Sequence, residues 1–214
     1  MANFSEDVES APGLLISPSF ATVGTDKSYD FDVDLTNNDS TSCSARTFNL
    51  SAINGSLADA SLDVIPGNPG STKLTVPGGS VSGDIDFIVS IVGESVSDNG
   101  TLSIDATGPV VQNLTGTYQR KGKNHRVQLS WSGSDNTGVA SYEVYRGGNR
   151  ITTTTQGSYM DNLATPVAST YNYEVRAIDL YDNIGAATAT VSTTGGDDGG
   201  GGGDKPCRGK KCSP

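Results

Sequence analysis

Three short stretches decide the reading of this chain: Val127-Gln-Leu-Ser-Trp131, Ser141-Tyr-Glu-Val-Tyr-Arg146 and Tyr171-Asn-Tyr-Glu-Val-Arg-Ala-Ile-Asp179. Each alternates large apolar and polar residues, the period of two expected of a strand with one buried face. The first holds the single tryptophan of the chain and the last opens on a tyrosine. Outward from them the rhythm continues toward the N-terminus. Tyr29-Asp-Phe-Asp-Val-Asp-Leu35 alternates strictly, with Asp30, Asp32 and Asp34 on the face opposite Phe31, Val33 and Leu35. Ile85-Asp-Phe-Ile-Val-Ser-Ile91, Thr47–Ala52 and Gly100–Asp105 read the same way, and Asn37–Ser40, Pro66–Gly70 and Pro77–Gly79 punctuate them as turns.

The chain has 214 residues with 27 Gly and 9 Pro and no convincing amphipathic helix, so the fold class expected is all-β, with two sandwiches of about 100 residues each. A flexible lead-in is expected over 1–11, a first sandwich over 12–106 and a second over 107–194. The run from Gly195 to Gly203 reads as a flexible linker leading to a basic tail, over 195–214.

The second segment resembles a fibronectin type III domain, carried by Trp131, by Ser134-Asp-Asn-Thr-Gly-Val-Ala-Ser-Tyr-Glu-Val-Tyr-Arg146 and by the Tyr171 strand. The resemblance implies that Trp131 fills a sandwich core. It also implies that Tyr171 makes a tyrosine corner, its hydroxyl bonded to backbone upstream near Leu163. Within the first segment, Tyr29–Ser40 followed by Cys43 and Thr47-Phe-Asn-Leu-Ser51 resembles the immunoglobulin-like, NEW3-type modules that follow catalytic domains in secreted bacterial peptidases and glycosidases. The Gly-Trp usual after that block is replaced by Asn54-Gly-Ser-Leu57, so the resemblance implies fold and context alone.

Composition removes several function classes. The net charge of -10 opposes binding to nucleic acid, and no apolar run approaches the ~20 residues that cross a bilayer. One histidine, His125 in Lys121–Arg126, supports neither a His-Glu-x-x-His zinc site nor a nucleophile–His pair, and reads as a solvated hairpin residue. Asp30, Asp32, Asp34, Asp84 and Asp86 alternate with core positions, so a solvated acidic face is the reading, with calcium as the rival. A second calcium candidate is the turn holding Asp179, Asp182 and Asn183. Tyr118, Tyr159 and Tyr181 are the aromatics not assigned inside, and so the candidates for a sugar-stacking surface. Cys207 and Cys212, four residues apart in the sequence between them, suit a small disulfide loop in an oxidising compartment, and Cys43 is then odd.

The expectation that results is a non-catalytic accessory region of a secreted bacterial hydrolase, with peptidase ahead of glycosidase. It would space a linked catalytic domain and hold an extracellular polymer, polysaccharide or protein, as a monomer. The start of the chain shows no signal peptide, so an extracellular destination would make it the downstream part of a larger protein. The alternative is a structural or adhesive cell-surface stalk.

Overall fold

The computed structural model describes residues 9–164 and 167–194, which are all-β. They divide into two compact units, one of residues up to 107 together with 181–183, the other of 108–180 and residues from 184 onward. The sequence expectation divides the chain between 106 and 107; the compact units place Thr107 and the segment 181–183 with the first.

The first unit contains β1 (Gly13–Ser17), β2 (Phe20–Gly24), β3 (Tyr29–Thr36), β4 (Arg46–Ile53), β5 (Ser56–Leu57), β6 (Ser61–Val64), β7 (Gly70–Val76), β8 (Gly83–Ile91) and β9 (Ser97–Asp105). Four strands form one sheet in the order β1-β3-β7-β5, and five form the other in the order β2-β9-β8-β4-β6. Between them lies an apolar core that buries Phe31, Val33 and Leu35 of β3, Leu74 and Val76 of β7, Phe48 of β4, Phe87 and Val89 of β8, and Leu102 of β9. The rings of Phe31 and Phe87 meet across the sheets with centroids 4.4 Å apart. Strict alternation is what permits this: a strand that puts its apolar residues on one face needs only a facing sheet to bury them. Gly100, inside β9, is required by crowding, because a Cβ there would lie 2.7 Å from the Ser19 carbonyl oxygen and 2.5 Å from the Phe87 ring.

The acidic rows face outward as the alternation dictates. Asp32 lies opposite Lys73 and pairs with it at 2.5 Å, while Asp30 accepts from the Thr75 hydroxyl and Asp86 from that of Thr101. These are cross-strand pairs on a solvated face.

The second unit contains β10 (Val110–Lys121), β11 (Asn124–Ser134), β12 (Val139–Arg146), β13 (Asn149–Thr154), β14 (Ser158–Leu163), β15 (Thr170–Asp179) and β16 (Ile184–Ser192). A three-stranded sheet, β10-β11-β14, faces a four-stranded one, β13-β12-β15-β16. Trp131 is buried between them, its ring edge-on to Tyr142 at 5.6 Å, among Val127, Leu129, Val144, Val175 and Ala177. Gly147 and Gly148 take positive φ angles of 55° and 82° between β12 and β13, the conformation of a two-residue hairpin turn.

Candidate functional site: the outer face of the four-stranded sheet

On the solvent side of the second unit's larger sheet, strand register assembles charged and aromatic residues far apart in sequence. Glu143 of β12 lies opposite Arg176 of β15 and Thr153 of β13, and two residues on Tyr145 lies opposite Glu174 and Arg150. Glu174 in turn lies opposite Thr188, and Asn172 opposite Thr190, on β16. Each paired set points to one face, so the register alone builds a ladder four strands wide.

The side chains are tied together. Tyr145 donates its hydroxyl to Glu143 at 2.7 Å, Arg150 pairs with the other Glu143 oxygen, and Arg176 donates to Glu174 at 2.6 Å. The Arg176 guanidinium lies 4.3 Å from the centre of the Tyr145 ring, a cation–π contact. The hydrogen bond from Tyr145, and then that from Arg150, hold the Glu143 carboxyl below its ordinary range, and the same Glu143 bond pushes the Tyr145 hydroxyl up. A shallow groove of about 380 Å³ lies on this face, lined by Gly148, Asn172, Tyr173, Glu174, Thr188, Ala189 and Thr190. Thr190 donates to the Asn172 side-chain oxygen at 2.9 Å within it.

Chemically the face offers hydroxyls, an amide, carboxylates and guanidinium groups around one phenol. That set suits hydrogen bonding to a polyhydroxylated ligand. It does not suit hydrolysis of a glycoside, which needs one carboxyl held protonated by a raised pKa, whereas Glu143 is shifted the opposite way.

The aromatic residues singled out from the sequence lie elsewhere. Tyr118 lies opposite Val127, and Tyr159 opposite Leu129, both of which are buried, so period-two parity turns both tyrosines toward the core, where they pack half-buried. Tyr118 is further tied to His125 by a 2.5 Å hydrogen bond between its hydroxyl and Nδ1. His125 is thus half-buried and partnered, which corrects its reading as a solvated residue. Tyr181 is half-buried and grouped with the first unit. No platform is built from Tyr118, Tyr159 and Tyr181 together within either unit. Their strands are rich in polar residues, which hid the core-facing parity in the sequence.

Asp182, at φ 69°, pairs with Lys27 at 3.0 Å, and Asn183 donates to the Asp105 carbonyl at 3.0 Å, all within the first unit. Asp179, buried on β15, instead has a carboxylate oxygen within 4.8 Å of that of Asp135, both in the second unit.

Tyr171 is half-buried, and its hydroxyl accepts from the Ala168 amide at 3.2 Å, so its backbone partner is Ala168 and not the region of Leu163. Cys207 and Cys212 lie outside the described residues, and Cys43 is a half-buried free thiol 3.4 Å from the Ser40 hydroxyl.

No family model matches the chain. It is 34% identical over 123 residues to exoglucanase B of Cellulomonas fimi, covering 56% of this chain and 11% of that enzyme. It is 37% identical over 127 residues to chitinase C of Streptomyces lividans, covering 59% of this chain and 17% of that enzyme. An alpha-amylase of Niallia circulans matches at 34% identity, over 52% of this chain and 8% of the enzyme. The chain therefore spans less than a fifth of the length of each of these relatives. Among solved structures, fibronectin(III)-like modules of Clostridium thermocellum CbhA align over 84% of this chain and 93% of theirs, at 13% identity and a TM-score of 0.38. The second unit has the two-sheet β-sandwich architecture that the fibronectin type III resemblance implies. The relatives are glycosidases, which reverses the expectation that placed peptidase ahead of glycosidase.

Proposed function

We propose that the chain is a non-catalytic accessory region of an extracellular bacterial glycosidase, spacing the catalytic domain and holding its polysaccharide weakly. The partner it implies is a covalently linked catalytic domain, and the ligand an insoluble neutral polymer. The relatedness to an exoglucanase and a chitinase supports the glycosidase context. The resemblance of the stretch Tyr29–Ser51 to NEW3-type modules is a further support for that context.

The observation that carries the binding role is the Tyr145 ring, backed by Arg176 at 4.3 Å, beside a groove lined by Asn172, Glu174, Thr188 and Thr190 among others. A sugar ring can lay its apolar face against a phenol while its hydroxyls find donors and acceptors alongside. Shallow open grooves bury little area, so binding is weak per module and gains its effect through linkage to the catalytic domain.

The test is retention of the purified chain on cellulose, chitin, insoluble starch and, as a protein control, casein. Retention on one polysaccharide, lowered by Tyr145→Ala, supports the reading. Retention on casein alone, or polysaccharide binding untouched by Tyr145→Ala and Arg176→Ala, overturns the proposed surface. Turnover of any of these polymers by the isolated chain overturns the non-catalytic reading.

A further inference from the structure

Charge is distributed unevenly along this acidic chain. Residues 1–107 hold 15 Asp and Glu against three Lys and Arg, whereas residues 106–134 hold no Asp or Glu at all. Within that acid-free stretch stand Arg120, Lys121, Lys123 and Arg126, at the end of the hairpin joining β10 to β11. Register places Arg120 opposite His125, Lys121 opposite Asn124 and Gln119 opposite Arg126, with Gly122 at φ 62° in the turn. Parity then sends Arg120 to the side of the sheet shared by Tyr118 and Val127, and Lys121 and Arg126 to the opposite side. Cations therefore surround the hairpin tip instead of lining one face of it.

Elsewhere among the described residues of this unit the arginines are neutralised in place: Arg146 by Asp161, Arg150 by Glu143 and Arg176 by Glu174. Lys121, Lys123 and Arg126 make no ion pair among the described residues, and Lys121 and Lys123 are exposed. Arg126 is instead positioned by Gln119, to whose side-chain oxygen it donates at 2.9 Å. Concentrated positive charge at the tip of one hairpin, in a chain of net negative charge, is a recognition device for an anion.

We propose that the β10–β11 hairpin tip docks on a polyanionic polysaccharide, one bearing carboxylate or sulfate groups along its length. A polymer with repeated charges can meet cations on both sides of the tip, which one isolated anion cannot. The segment Gln119–Arg126 contains no apolar residue to insert into a lipid surface, which disfavours a membrane as the occupant. That the polyanion is a sugar polymer rests on the accessory-module reading above, whereas the choice of a polyanion rests on the hairpin alone.

Affinity electrophoresis of the full chain through gels containing polygalacturonate or dextran sulfate tests this, and distinguishes carboxylate from sulfate. Retardation by either polymer is expected, and it weakens steeply with salt because bound counterions are released. Lys121→Gln with Lys123→Gln is expected to lower the slope of log affinity against log salt by about two, one for each cation removed. Lys27→Gln with Lys73→Gln makes the same change in net charge on the first unit and is expected to leave the slope unaltered; thermal melts verify that both double variants remain folded. Absence of retardation by both polymers, or equal effects of the two double variants, overturns the proposal. So does binding confined to duplex DNA or to anionic phospholipid vesicles. Retention on neutral cellulose or chitin reports on the Tyr145 face, so the two readings fail separately.

Discussion

Tyr173 donates its hydroxyl to Asp161 Oδ2 at 2.6 Å, with both residues almost wholly buried in the second unit. The same oxygen accepts from Arg146 Nη1 at 2.6 Å, so one carboxylate is satisfied by a phenol from β15 and a guanidinium from β12. Burial first, and then the bond to Asp161, push the Tyr173 hydroxyl well above its ordinary pKa. Removing the acceptor strands both donors. Asp161→Ala is expected to cost about 3 kcal/mol, the scale for a broken buried charged hydrogen bond. Tyr173→Phe leaves the Arg146 pair intact and is expected to cost about 1–2 kcal/mol. Urea unfolding of the two variants measures both, and equal losses would contradict the shared-acceptor account.

Trp131 is 5% exposed and packs edge-on against Tyr142. Its fluorescence is expected to be blue-shifted in the folded chain and to redden on unfolding. Trp131→Ala is expected to destabilise the second unit by about 3–5 kcal/mol, as for other emptied aromatic core sites. Native emission at the wavelength of free tryptophan would refute this burial.

The exposed pair of Lys73 with Asp32 provides the contrast, since both side chains are 53% accessible. Lys73→Ala is expected to leave stability almost unchanged, and salt is expected to reduce the effect further. A larger loss by thermal unfolding would mean that the acidic row of β3 needs this cation.

Glu143 governs a dependence on acid. Its carboxyl titrates lower when folded, because Tyr145 and then Arg150 bond to the charged form. A depressed folded pKa contributes stability above the unfolded value of about 4.3, and that contribution fades as pH falls from there through the folded value. Glu143→Gln is expected to flatten the acid limb of the stability curve below that range. Thermal melts between acid and neutral pH supply the comparison, and an acid limb that keeps its slope in the variant would remove Glu143 from the account.

The core was largely legible from sequence, and the candidate surface was not. Asp30, Asp32 and Asp34 alternate with Phe31, Val33 and Leu35, and burial follows that alternation directly. The same holds for Tyr173, Val175 and Ala177 on β15. Alternation inside one strand says nothing about which residues of another strand lie opposite, so the meeting of Tyr145 with Glu174 and of Glu143 with Arg176 was hidden. Register here is further offset by irregularities between Val139 and Ser141 and between Val144 and Tyr145. Tyr118 and Tyr159 were misplaced for the converse reason: their own strands are too polar for parity to be read, and the buried Val127 and Leu129 opposite them settle it.

The pairing of β2 with β9 is parallel, running from Phe20 beside Thr101 to Gly24 beside Asp105, and it joins one of the earliest strands of the first unit to its last. Tension applied through the backbone pulls β2 toward its start and β9 toward its end. Because the strands point the same way, those pulls are opposed along a common axis, and all five residue pairs are loaded in shear at once instead of parting one by one like a zip. Within the first unit, the β2–β9 pairing is therefore arranged to resist stretching instead of peeling apart.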